Sequence, residues 1–223
     1  MIIFFDLDGT LIDSTNPIVT SLKKALNIKG IEASEEKIKS LIGASLEVMF
    51  STLGAKEEQL PEIFKLYKEE YAKCYKSGTS LLNGAKEAIE LASKHAKVGL
   101  VTTKTRHFAE EILKNFDLLK HFSVVVGGDD VSKCKPNPEA IFKALSLLAN
   151  SDDLLTKEKL ETLFDFKNIY MVGDTLNDTG AAKTAGVKPV VTIFEYTDMS
   201  VLQKECDAIF KTPLECVKYI INN

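Results

Sequence analysis

The 223-residue chain has no block of basic residues, no closely spaced cysteines and no long apolar run. Lys and Arg number 28 against 32 Asp and Glu, a net charge of −4, and the basic residues are scattered, which argues against nucleic acid as a partner. The four cysteines, Cys74, Cys134, Cys206 and Cys216, form no Cys-x-x-Cys. Neither a zinc site of that kind nor a disulfide framework is suggested, and a reducing compartment fits. The first apolar run, Ile2 to Phe5, is cut short by Asp6 and Asp8, well below the length of a signal-peptide core. Nothing approaches the ~20 apolar residues of a membrane span, so a cytoplasmic protein with no membrane partner is expected. There is no Gly-x-x-x-x-Gly-Lys-Ser/Thr, which disfavours a kinase of the P-loop kind, and no internal repeat or low-complexity segment.

What is present is ordinary in bulk: 45% apolar and 27% charged residues, the composition of an ordered globular fold. A chain of this length buries roughly 70% of its unfolded surface, enough for one core with a small second lobe. Short apolar runs recur at Ile2 to Phe5, Val98 to Val101, Val124 to Val126, Ile169 to Val172, Val190 to Ile193 and Ala208 to Phe210. Their apolarity is continuous rather than alternating, as in parallel strands covered on both faces. Helix-period stretches at Phe108 to Phe116, Pro138 to Leu148 and Thr179 to Ala185 alternate with them, giving an α/β order. The exception is the segment from about Ser14 to Leu82, which contains no convincing strand. Asn16-Pro17 opens a helix, and others are expected at Ser34 to Ile42, Ser45 to Leu53 and Leu60 to Tyr75. Roughly seventy residues exceed one βα crossover, which normally takes ~30 in all. The organisation expected is a parallel α/β core from 1–13 and 83–223, with an α-helical cap from 14–82 resting on the open end of the sheet.

Open α/β sheets bind ligands beyond the carboxyl ends of their strands, and here those ends are polar and acidic. The first run is followed by Asp6-Leu7-Asp8-Gly9-Thr10 and the second by Thr102-Thr103-Lys104. The third leads to Gly127-Gly128-Asp129-Asp130 and then to Lys135-Pro136-Asn137-Pro138, and the fourth to Gly173-Asp174 with Asp178 close behind. Asp6 and Asp8, two apart on an extended segment, are expected to face the same side, and Gly9 to bend the backbone and turn its amides toward a ligand. Two carboxylates ~5 Å apart at an effective dielectric near 20 repel by about 3 kcal/mol, so a cation is required. With oxygen ligands alone Mg²⁺ is the natural choice, leaving coordination positions open for phosphate oxygens. Each piece has a plainer reading: Asp-x-Asp as a turn, Gly-Asp as a helix cap, Lys before Pro as a solvated side chain. Their order and shared placement at strand ends carry the joint reading of one phosphate-binding pocket.

These segments resemble, in order, the four signatures of the haloacid dehalogenase superfamily: Asp6 to Ser14 the first, Thr102 the second, Lys135 in Lys-Pro-Asn-Pro the third, and Gly173 to Asp178 the fourth. The resemblance covers essentially the whole chain and implies a Rossmann-like core with a helical cap. It also implies a phosphatase reaction through an aspartyl phosphate. In that reaction Asp6 is the nucleophile and Asp8 the acid and then the base. Thr102 with the Thr103 amide, the Gly9 turn and Lys135 hold the phosphoryl group. Mg²⁺ is bound by Asp6, the backbone carbonyl of Asp8 and Asp174, with Asp178 as ligand or orienter. Gly43-Ala44-Ser45-Leu46, Val101 to Lys104 and Gly127-Gly128-Asp129 resemble the phosphoglycolate phosphatase group within that superfamily. Thr103, Asn83 and the length of Ser151 to Phe166 depart from it.

The implied substrate is a small phosphate monoester, handled by a monomer or homodimer. A sugar phosphomutase of the β-phosphoglucomutase kind, a pyrophosphatase and a nucleotidase share the same core. A mutase needs a basic cap residue that Ala44-Ser45-Leu46 does not supply. A phospho-acceptor signalling domain would need neither Asp8 nor a cap. His95, His107 and His121 lack ligand spacing and are expected at the surface, as is Arg106. Lys104 is expected at the pocket mouth, Asp13 and Ser14 at the hinge, and Asp129 either ordering the loop that carries Lys135 or in direct contact.

Overall fold

The computed structural model describes residues 1–195 and 202–223. Six parallel strands form one sheet in the order β5-β4-β1-β6-β7-β8. They are β1 Ile2–Phe5, β4 Lys97–Val101, β5 Val124–Val126, β6 Ile169–Gly173, β7 Lys188–Thr192 and β8 Ala208–Phe210. Every apolar run expected to be a strand is one, three with the expected ends and three shifted by a residue or two.

Both sheet faces are covered, which is why the runs are apolar throughout. Ile3 and Phe5 pack into one core, while Ile2 and Phe4, alternate residues of the same strand, pack into the other. Helices α5 (Ala85–His95), α6 (Arg106–Asn115) and α10 (Pro213–Asn222) serve the first face. Helices α7 (Glu139–Leu148), α8 (Lys157–Leu163) and α9 (Leu176–Ala185) serve the second.

Between β1 and α5 lies the helical insertion: α1 Thr15–Ile28, α2 Glu35–Lys39, α3 Leu46–Thr52 and α4 Leu60–Ala72. Contrary to the strand-free reading of this segment, a separate antiparallel ribbon of two two-residue strands stands at its base, β2 (Ile12–Asp13) against β3 (Ser80–Leu81). A strand that short leaves no periodicity to read. Helix α2 also ends sooner than the apolar spacing suggested. After Lys39 the chain turns through Ser40, Leu41 and Ile42 and delivers Gly43, at φ +96°, toward the sheet. Tyr67 and Tyr71 of α4 and Tyr75 in the turn beyond it recur every fourth residue and stack on one another at centroid spacings of 5.4 and 5.8 Å. Phe108 of α6 meets Tyr71 and Tyr75 edge-on, at 5.0 and 5.1 Å, and so seats α4 on the core.

Candidate active site

The strand ends converge. Asp6 leaves β1 with its amide still donating to the Val172 carbonyl of β6 at 2.9 Å. The chain then turns tightly at Gly9, whose φ is +80° and where a Cβ would lie 2.3 Å from Asp174 Oδ2. Only glycine fits there. The Gly9 N–H, expected to turn toward a ligand, instead donates to the Ile12 carbonyl at 2.9 Å, so Gly9 serves the site by its missing side chain.

Beyond β6, Asp174 accepts a hydrogen bond from the Thr10 hydroxyl at 2.9 Å. Helix α9 starts three residues earlier than its apolar pattern predicts, which places Asp178 in its first turn. There Asp178 Oδ2 accepts from the Thr175 amide and hydroxyl at 3.0 and 2.7 Å and caps the helix. Thr10 and Thr175 are supporting residues that sequence reasoning did not single out, although both stand inside the signatures.

One oxygen each of Asp6, Asp174 and Asp178 lies within 4.8 Å of the others, and all three residues are buried. At that spacing each pair of charges costs about 3 kcal/mol at an effective dielectric near 20. Lys135 offsets part of this. Its side chain is 1% exposed, with Nζ 2.8 Å from Asp6 Oδ1 and 2.5 Å from Asp178 Oδ1, and it donates to the Val101 carbonyl at 2.9 Å.

Burial above all pushes Asp6 up to about 6, with Lys135 pulling it down and Asp178 and Asp8 pushing it up. Asp174 is raised well above the usual carboxylate range by burial and then by Asp178 and Asp6. Burial works to lower Lys135, but Asp178 and Asp6 outweigh it and hold the ammonium above its ordinary value. Asp6 Oδ1 is buried and, although ion-paired with Lys135, lies outside hydrogen-bond alignment. An all-oxygen donor set and an excess of negative charge that one lysine does not offset fit a hard divalent cation such as Mg²⁺.

The Asp8 carboxylate is not among the three that cluster, but it lies close enough to Asp6 to help push that residue's pKa up. The Ser14 hydroxyl donates to Asp8 Oδ1, and Lys104 Nζ lies 3.1 Å from Asp8 Oδ2. Lys104 is thus far deeper than a pocket-mouth residue, with a side chain only 6% exposed, and it donates to the Tyr71 hydroxyl of α4 at 2.8 Å. Asp8, Lys104 and Tyr71 line one cleft between insertion and core, together with Ile18, Met49 and Phe108.

Thr102 is buried, its amide donating to the Val126 carbonyl at 3.0 Å and its hydroxyl accepting from the Lys104 amide at 3.2 Å. The Thr103 hydroxyl donates to the Gly43 carbonyl at 3.3 Å, and Asn177 Nδ2 donates to the same carbonyl at 3.1 Å. Two core segments therefore grip one peptide of the insertion.

Asp129, expected to steady the Lys135 loop, instead accepts from the Arg106 amide at 2.7 Å and caps α6. Arg106 is exposed and paired with Glu110, and His95 and His107 are exposed. His121 is half-buried against Ser93. No helix among the described residues is long and apolar enough to cross a membrane.

Residues 3–192 match the model of the haloacid dehalogenase-like hydrolases. The chain belongs to that family. It is 32% identical over 202 residues to the phosphoglycolate phosphatase of Photorhabdus laumondii, covering 87% of this chain and 80% of the relative. To the protein of the same name in Escherichia coli it is 30% identical over 217 residues, covering 86% and 81%. A haloacid dehalogenase-like family hydrolase from Streptococcus pneumoniae superposes with a TM-score of 0.76 over 98% of this chain and 97% of that one, at 23% identity, a likeness of fold. Within the family the chain is a phosphoric monoester hydrolase.

Proposed function

We propose that the protein is a Mg²⁺-dependent phosphatase of small phosphate monoesters, acting through an aspartyl phosphate on Asp6, with 2-phosphoglycolate its first candidate substrate. The observation that carries this reading is the division of labour between the two aspartates of one loop. Asp6 sits among carboxylates beside Lys135, while Asp8 faces the cleft beside Lys104. Residues 14–82 act as a cap over a core of 1–13 and 83–223, and the doubly held Gly43 carbonyl supports their closure.

In the first step an Asp6 carboxylate oxygen attacks phosphorus, the ester bond breaks, and Asp8 gives its proton to the departing alkoxide. In the second step Asp8 takes a proton from water, whose oxygen attacks the same phosphorus and releases Asp6. Lys135 offsets charge on Asp6 and the phosphoryl oxygens, Asp178 orients Lys135, and the Thr102 hydroxyl with the Thr103 amide holds a phosphoryl oxygen. Asp6, Asp174 and the Asp8 backbone carbonyl, with Asp178 as ligand or orienter, would hold Mg²⁺, which would supply positive charge where the phosphoryl group binds.

Lys104, a second buried cation, brings four carboxylates, one Mg²⁺ and two lysines to neutrality where one lysine would leave a negative charge. Among the described residues that line the cleft, Lys104 is the one cation, which favours a hydrolase over a mutase holding a second phosphate. All of these groups come from one chain, which fits a monomer or homodimer, and a cytoplasmic setting fits the free thiols.

The test is hydrolysis of 2-phosphoglycolate, pyrophosphate, glucose 1-phosphate, nucleoside monophosphates and p-nitrophenyl phosphate with added Mg²⁺. Stoichiometric labelling without turnover would overturn the reading. Asp8→Ala should cost about 10²-fold or more with a poor leaving group and less with p-nitrophenolate, which needs no proton. Equal losses for both would remove leaving-group protonation from Asp8. Lys135→Ala should raise the barrier by about 3 kcal/mol, read as kcat/KM, and a near-silent change would show that Lys135 does not touch the phosphoryl group.

A further inference from the structure

The phosphoryl side of the site already has its cation in Lys135, so a second buried lysine on the far side of Asp8 calls for a separate reason. A buried ammonium costs several kcal/mol to desolvate unless it is paired. The fold nonetheless builds a seat for Lys104. Its Nζ lies 4.6 Å from the centroid of the Tyr71 ring, donates to that residue's hydroxyl at 2.8 Å, and stands 3.1 Å from Asp8 Oδ2. One of its three donors goes to the Tyr71 hydroxyl, and the ammonium is ion-paired with Asp8. The rest of the cleft around it is largely apolar, with Ile18, Ile42 and Met49 from the insertion and Phe108 from the core. A leaving group carrying an anion would therefore meet one cation and hydrocarbon.

Reach fixes where that anion must be. Asp8 has to stand within roughly 3 Å of the ester oxygen to protonate it. With Lys104 Nζ 3.1 Å from Asp8 Oδ2 and Oδ1 taken by Ser14, an ester oxygen protonated from Oδ2 lies at most ~6 Å from the ammonium. A carboxylate one carbon beyond the ester oxygen, accepting a hydrogen bond from Nζ, spans that gap when extended, whereas a longer chain has to fold to do so.

We propose that Lys104 is the specificity-determining residue for the leaving group. It binds the carboxylate of a short phosphate monoester that carries this group one carbon from the ester oxygen, and Tyr71 of α4 is the positioning residue that holds the ammonium in place. The proposal rests on the phosphatase reading above and adds to it the residue that reads the leaving group. It also gives the insertion a part in specificity, because Tyr71 reaches Lys104 only while α4 is packed on α6.

The test uses two non-hydrolysable phosphonates of equal length, 3-phosphonopropionate and propylphosphonate, titrated calorimetrically into the whole protein with Mg²⁺. The wild type should bind the carboxylated compound about 10- to 100-fold more tightly, the worth of one charge-assisted hydrogen bond. Lys104→Met should bring the two within about threefold, and Lys104→Arg should keep most of the preference. Tyr71→Phe should weaken the preference and raise KM for 2-phosphoglycolate more than it lowers kcat, where a merely structural role would lower active protein without changing KM. The arginine and phenylalanine variants decide the matter if the methionine variant does not fold. Equal binding of both phosphonates by the wild type, a preference kept in Lys104→Met, or equal loss of both ligands in that variant would overturn the assignment. If neither phosphonate binds, it is the phosphatase reading that falls.

Discussion

Asp6→Asn is expected to abolish turnover, by on the order of 10⁴-fold or more in kcat, while leaving the protein folded. The amide has nearly the shape of the carboxylate, so the strand end is undisturbed, and the backbone N–H of residue 6 still reaches the Val172 carbonyl at 2.9 Å. Its oxygen can still lie against Lys135, at the 2.8 Å that Asp6 occupies now. What is lost is the charge that makes this oxygen a nucleophile. Stability should not fall, because the variant removes one of three mutually repelling carboxylates. Steady-state hydrolysis and thermal melting, run side by side, check both halves. Mass spectrometry of acid-quenched wild type during turnover should place a phosphoryl group on the peptide containing Asp6 and on no other. Appreciable activity in a well-folded Asp6→Asn variant would take the nucleophile's role away from Asp6.

The sheet was legible because burial on both faces writes a strand as an unbroken apolar word. Ile2 to Phe5 needed no other clue. The same logic hides β3: Ser80 and Leu81 form a strand by pairing with Ile12 and Asp13, and two residues carry no pattern of their own. Asp6, Asp174 and Asp178 could be brought together in advance because parallel strands deliver their carboxyl ends to one edge. The Asp8 side of the site could not. Its geometry depends on which face of α4 meets the core, and the contact that decides it, Lys104 with Tyr71, spans 33 positions. The four-residue spacing of Tyr67, Tyr71 and Tyr75 was a visible signal of an aromatic helix face, but nothing in it says that Phe108 and Lys104 lie opposite. Asp129 shows the converse error. Nearness in sequence to Lys135 suggested a shared task, whereas the Asp129 carboxylate caps a helix whose first residue, Arg106, lies 23 positions earlier.

Withdrawing divalent cations should stop turnover and also change how stability depends on pH. Asp6 is pushed from 3.8 up to about 6, chiefly by burial, and Asp174 is raised in the same direction. An acid whose folded-state pKa is raised favours folding while it is protonated. Its contribution is complete below its unfolded value and is lost as pH climbs through the folded one. For Asp6 alone that loss is ~3 kcal/mol between about pH 4 and pH 6, and Asp174 adds to it. Glu111 behaves oppositely. Drawn down to about 2 by Lys114 and Lys76, it loses its contribution only as pH falls below its unfolded value of 4.5. In EDTA the melting temperature should therefore drop by roughly 5–10 °C between about pH 5 and pH 7.5. A bound divalent cation favours the ionised carboxylates, so Mg²⁺ should raise the melting temperature far more at the higher pH, and Asp6→Asn should flatten much of the slope seen in EDTA. Mg²⁺ stabilisation that is the same at both pH values, or an EDTA-treated protein that hydrolyses phosphate esters at full rate, would mean that the three carboxylates are not held in check by a metal.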